Sequence, residues 1–186
     1  MSTRKTFRSV LAALALLFPL VVAQLATAAP AGAAEIAVRT VYYDSSGAAE
    51  FKNAVDAGAA VWNNSVKNVR LVKGSPASLV IVADNGWPRA QTYSLGRGKI
   101  WFGRQAVNQG YDVTRIAAHE IGHIFGLPDR RTGLCQDLMS GSSAPVSCTN
   151  AYPNAKEKAE VEANFAGSRA AAEFRGYYDE TPVAAF

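Results

Sequence analysis

Both histidines of this 186-residue chain, His119 and His123, lie four positions apart, and Glu120 directly follows the first. On a helix, positions i and i+4 stand one turn apart on the same face. Two imidazoles placed this way can share one zinc ion, and the carboxylate between them is within reach of a water on that ion. Zinc brings the pKa of such a water towards ~7, so Glu120 can take its proton at neutral pH. This is chemistry suited to hydrolysing an amide. In a chain with two histidines, this spacing arises by chance in roughly one arrangement in a hundred, before a neighbouring glutamate is required. The alternative is an ordinary helix with core or surface histidines, and the residues that follow weigh against it.

Gly126 comes three residues after His123 and can take a positive φ, turning the chain sharply out of the helix. Pro128 cannot continue a helix and biases Leu127 towards an extended conformation. Asp129 then supplies an oxygen donor placed to reach back as a third ligand. A carboxylate suits zinc acceptably, and no histidine remains for that role. The alternative is a turn aspartate with no part in the metal site. Further on, Asp137-Leu138-Met139-Ser140-Gly141 sets a lone internal methionine in a turn-prone segment.

With these residues on the page, the chain resembles the metzincin metalloproteases. Their pattern, His-Glu-x-x-His-x-x-Gly-x-x-His, is followed by a methionine-containing turn beneath the metal. Asp129 stands where most of that clan has His. In this feature, in its small size and in its leader, the chain is similar to the snapalysins, the small neutral metalloproteases secreted by Streptomyces. The resemblance runs from about Ala37 to Ser168. It implies a zinc-dependent metalloendopeptidase with His119, His123 and Asp129 on the metal, Glu120 as general base, and Met139 in the turn below. It also implies a preference for Tyr or Phe just after the cleaved bond. It further implies a calcium ion near the start of the active helix, at Asp112 and Thr114. By residue type alone, Asp112 or Thr114 reads as a helix N-cap. Many metzincins carry Tyr two residues after the methionine. Here that position is Gly141, which leaves the group facing the developing oxyanion unassigned.

Several elements must hold these residues in place. Ala37–Tyr43 alternates and is β-branched, which predicts a strand, and Asp44-Ser45-Ser46-Gly47 reads as a turn. Phe51, Val55, Ala59 and Trp62 recur at helical spacing within a predicted helix over 49–63. Val69–Val72 reads as a second strand, and Ser78–Ala83 as a strand buried on both faces. Residues 84–88 read as a loop, and Gly98–Gly103 as a further strand. That last strand is a candidate edge for adding an extended peptide, with an interior strand as the alternative. Ala117, Ile121, Ile124 and Phe125 form the buried side of the metal-bearing helix. A polar helix spans 154–165 and Gly167 can end it. The order β-α-β-β-β-α, followed by a mostly irregular lower part, fits a single α+β domain with a mixed twisted sheet, an active-site helix and a C-terminal helix.

Composition sets further bounds. Residues 1–34 read as a signal peptide with a possible short pro-segment. Arg4, Lys5 and Arg8 precede an apolar stretch from Val10 to Val22, and Ala-rich sequence follows. A membrane anchor is the alternative, but the stretch contains Pro19 and is short for a span of ~20 residues. Removing this segment takes away three of 19 basic residues and no acids, leaving 16 basic against 15 acidic. No basic stripe or nucleic-acid motif remains. The expected protein is secreted, monomeric and free of the membrane after processing. Its expected domain spans 35–168, and its partners are protein or peptide substrates. Residues 169–186 show no clear period and read as a trimmed or loosely attached tail. Cys135 and Cys148 are the two cysteines, which in an oxidising compartment reads as a disulfide around Met139. Free thiols or zinc ligands are the alternatives. Two other functions remain open at this level: a secreted zinc hydrolase of a non-peptide amide, and a non-enzymatic secreted zinc-binding protein.

Overall fold

A computed structural model describes residues 37–167 and 171–182, so the leader over 1–34 lies outside the described residues. The first strand, β1 (Arg39–Gly47), leads through a 3-10 turn at Ala49–Phe51 into α1 (Lys52–Ser65). Four strands follow: β2 (Val69–Lys73), β3 (Leu79–Asp84), β4 (Arg89–Ser94) and β5 (Arg97–Gly103). Then come the short α2 (Arg104–Asn108), α3 (Val113–Ile124) and α4 (Ala155–Phe165), and finally β6 (Gly176–Asp179). The six strands form one sheet in the order β2-β1-β3-β5-β4-β6. β1 pairs in parallel with β2 and β3, and β3 with β5, whereas β4 runs antiparallel to both β5 and β6. The sheet is therefore mixed, and the α+β expectation holds.

The apolar periodicity of the helices is realised as burial. Phe51, Val55, Ala59 and Trp62 on and before α1 are buried, as are Ala117, Ile121, Ile124 and Phe125 of α3 and its exit. The two helices cross at Gly58, where a Cβ would lie 2.7 Å from that of Ala117. Trp62 is fully buried, donates its indole N–H to the Ala118 carbonyl (2.7 Å), and meets Phe125 edge to face at 5.4 Å. An aromatic of that size with a satisfied N–H contributes both apolar area and a fixed orientation. It therefore fixes how α3 lies against α1.

Four sequence expectations need correction. β1 does not end at Tyr43. It continues to Gly47 with a register shift between Asp44 and Gly47 against β3. The local turn predicted there survives as a bulge, in which Ser46 N donates to Asp44 Oδ1 (2.7 Å) while Ser45 is buried. β3 is buried on one face only, since Val80 is 38% exposed. β4 escaped notice because Arg-Ala-Gln-Thr-Tyr-Ser is polar, although Ala90 and Thr92 alternate inward. Because β4 exists, β5 is an interior strand between β3 and β4, and the Gly98–Gly103 segment is no edge for a peptide.

Candidate metal centre

The centre is built on α3. Asp112 starts the helix as its N-cap, with Oδ1 accepting from Arg115 N at 2.7 Å. Three turns on, Gly126 at φ 87° ends it, and the chain doubles back through Leu127. That reversal brings the Leu127 carbonyl to His123 Nδ1 (2.8 Å), and the Leu138 carbonyl lies 3.0 Å from His119 Nδ1. A carbonyl only accepts, so each Nδ1 carries a proton, and in its neutral form each ring turns the Nε2 lone pair towards the other. The two Nε2 atoms are 3.0 Å apart. Asp129 Oδ1 lies 3.4 Å from one and 3.5 Å from the other. Donor atoms gathered this closely in a buried setting could share one cation. Zinc bonds of about 2.0–2.1 Å in a tetrahedron set neighbouring donors about 3.3 Å apart, so these residues fit the ion.

His119 is buried, which lowers its pKa, but the carboxylates of Glu180, Asp129 and Glu120 outweigh that and raise it well above the ordinary imidazole range. His123 is held below that range, chiefly by burial, with Glu180 opposing and His119 adding to the depression. Burial lifts the Glu120 carboxyl well above its usual value; His119 partly opposes this, while Glu180 and Asp129 add to it. Both oxygens of Glu120 and Oδ1 of Asp129 lack a hydrogen-bond partner among the protein atoms. A buried carboxylate without partners marks a place where a non-protein group belongs.

Met139 packs against α3. It is fully buried, and a Cβ at Gly122, the residue before His123, would lie 2.6 Å from its sulfur. Leu138–Ser143 turns in 3-10 fashion with a break at Gly141 (φ 58°, ψ −142°). Two buried charges hold this turn. Glu157, at the start of α4, accepts from Leu138 N (3.2 Å) and Met139 N (2.8 Å), and closes a capping box with Asn154. Arg115, on α3, donates to the carbonyls of Cys135 (3.0 Å), Asp137 (2.7 Å) and Asn150. Arg130 N donates to Met139 O at 2.7 Å, tying the Asp129 loop to the same turn.

Cys135 and Cys148 are bonded, with Cα atoms 5.5 Å apart, and their loop encloses the methionine turn. Replacing both by Ser is expected to lower unfolding free energy by ~3 kcal/mol or less, the scale of loop closure at this length. Zinc should also dissociate faster, because the shell that orients His119 loses its clamp. Denaturant melts and chelator-competition kinetics measure the two effects; zinc release at the parent rate would confine the bridge to global stability.

The structure brings His119, His123, Glu120, Asp129 and Met139 together. It does not bring Asp112 and Thr114 into a group with other carboxylates. Among the described residues, the histidine and acidic donors close enough to share a metal are His119, His123, Asp129 and Glu180. Glu180 was missed by sequence reasoning, since nothing in its neighbourhood is periodic or motif-like. Nearby, an apolar recess lined by Trp87, Pro88, Ala106, Tyr111, Ile116 and Leu138 adjoins His119 and Glu120.

Two helical imidazoles, a carboxylate from the following turn, an unpaired adjacent glutamate and a methionine turn, set on an α+β sheet, form a centre that could hold one metal ion. The chain belongs to the Streptomyces extracellular neutral proteinase (M7) family, whose sequence pattern matches residues 37–168. It is 46% identical to the extracellular small neutral protease of Streptomyces caespitosus over 129 residues, 68% of this chain and 97% of that protein. The protein of the same name from Streptomyces sp. (strain C5) is 45% identical over 136 residues, 72% of this chain and 59% of that one. That of Streptomyces coelicolor is 43% identical over 141 residues, 73% of this chain and 65% of that one. The chain thus spans less than two thirds of the length of the last two.

Proposed function

We propose that this protein is a secreted zinc metalloendopeptidase. The observation that carries the reading is the convergence of His119 Nε2, His123 Nε2 and Asp129 Oδ1 within 3.5 Å of one another, beside the unpartnered Glu120. When bound there, zinc supplies Lewis acidity, acidifying a water and polarising the scissile carbonyl. His119, His123 and Asp129 would hold it. Glu120 takes the proton from the attacking water and later delivers it to the leaving amine. The apolar recess beside Glu120 is our candidate for the side chain that follows the cleaved bond. Trp87 and Tyr111 in its wall favour an aromatic such as Tyr or Phe. The substrates are then extracellular proteins or peptides. We read the enzyme as a monomer that works without nucleic acid or membrane; no helix of the described residues is long and apolar enough to cross one.

Casein hydrolysis with and without a chelator tests the reading. Activity that vanishes with the chelator and returns with zinc supports it. A protein that binds zinc, leaves casein intact and cleaves a cell-wall amide would be a non-peptide hydrolase. One that binds zinc and cleaves neither would be a binding protein.

Calcium is a separate part of the proposal, at Asp112 and Thr114. Calcium added to the zinc-loaded, calcium-stripped protein is expected to raise its melting temperature, because a ligand of the folded state stabilises it. Asp112→Ala should remove that increment while zinc stays. An undiminished calcium effect in this variant would leave Asp112 as the N-cap alone.

A further inference from the structure

The segment beyond the family-matched residues folds back onto the metal centre. β6 adds antiparallel to β4, in register from Arg89↔Asp179 to Thr92↔Gly176. β4 is tied to the active helix, since Thr92 Oγ1 donates to the His123 carbonyl at 3.0 Å. One residue past the paired strand, Glu180 N donates to the Pro88 carbonyl (3.0 Å). Its side chain then enters the donor cluster, with Oε1 2.9 Å from His119 Nε2 and 3.8 Å from His123 Nε2. The second oxygen accepts from Ser142 N at 2.9 Å. Arg131 Nη2 donates to the Asp179 carbonyl (3.0 Å) and reaches Glu180 Oε1 (3.4 Å). The Tyr178 ring stacks on His123, centroids 4.0 Å apart and planes 5° from parallel. Glu180 is only 4% exposed.

Two requirements of peptide cleavage meet in this one segment. A catalytic zinc site needs one open position beyond its three protein ligands. Glu180 brings a fourth donor atom to that position. An extended substrate needs a free strand edge to bond its main chain. β6 covers the only edge of β4 that β5 leaves open. The carboxylate also packs against Gly141, where a Cβ would stand 2.3 Å from Glu180 Oε2.

We propose that residues 176–180 are an intramolecular inhibitor that holds the enzyme latent, β6 occupying the substrate's strand position and Glu180 the open metal position. The proposal rests on the peptidase reading above. The group at the donor cluster is a side-chain carboxylate and not a peptide carbonyl, so the segment is held without being cut. Displacement of β6 and Glu180 opens the strand edge and the metal position together.

The test compares the zinc-loaded full chain with its Glu180→Ala variant. Acetohydroxamate, a small chelator that must use the open metal position, is titrated by calorimetry. It should bind the variant at least about tenfold more tightly, since a site that is closed in nine molecules of ten loses that factor. Peptide cleavage should gain a similar factor, carried by a lower KM at unchanged kcat, as relief of internal competition requires. A synthetic peptide of residues 175–182 should then inhibit the variant competitively. In the unmutated chain, acetohydroxamate should accelerate hydrogen exchange at residues 88–92 and 176–180, a measurement that needs no variant. Equal hydroxamate affinity in both proteins, with unchanged exchange, would overturn the proposal. So would a variant that loses zinc and activity together, which would make Glu180 a permanent ligand. Tighter hydroxamate binding with no peptide cleavage by either protein would keep the occlusion and remove the peptidase reading.

Discussion

Glu120→Gln should hold one zinc per chain and lose proteolysis by at least ~10²–10⁴-fold, the range of a general base. The substitution is nearly isosteric and takes away only the ability to accept a proton. Glu120 is fully buried and both its oxygens lack protein partners, so no structural hydrogen bond is broken by the change. Fold and metal content should therefore survive, as circular dichroism and elemental analysis would record. A structural role would instead appear as lost stability with activity retained per folded molecule. Turnover within a few-fold of the parent, at full zinc occupancy, would remove Glu120 from the proton-transfer step. The alternative bases are then few. Glu180 is engaged by Ser142 N and Arg131, and Asp129 is committed to the imidazole pair.

Asp129→Ala should weaken zinc binding by at least ~100-fold, since even groups that merely orient ligands are worth 10–100-fold. Two imidazoles alone make a poor site for this ion. The tertiary structure adds a complication. Glu180 lies as close to His119 as Asp129 does, and can serve as a substitute third ligand. The loss should therefore be larger in Asp129→Ala with Glu180→Ala than in the single variant, and the double variant should retain essentially no zinc in competition with a chelator. Asp129→His is expected to keep measurable activity, because related proteases hold zinc with histidine at that position. Zinc bound at the parent affinity in the double variant would show that neither carboxylate is a ligand.

The amino-acid sequence by itself determined the parts of this protein that are local. His119, Glu120 and His123 meet because a helix places positions four apart on one face, and Asp129 joins them because one glycine turn carries the chain back. The buried faces of α1 and α3, the polar α4 and the loop closed by Cys135 and Cys148 were legible for the same reason: each depends on residues within a dozen or so positions of one another. The calcium expectation rested on resemblance, and the geometry gives Asp112 an N-cap.

Tertiary structure alone decided what depends on distant pairing. β4 is polar and short, and it is a strand because β5 and β6 bond to both of its edges. β5 became interior for the same reason. Glu180 lies 61 residues from His119 in sequence yet 2.9 Å from its Nε2, delivered by the register of β6 on β4. Strand pairing is written in main-chain hydrogen bonds common to every residue type but proline, so a sequence carries little record of which strand a given segment will join. That is why the proposed metal ligands were readable from eleven residues, and Glu180 beside them was not.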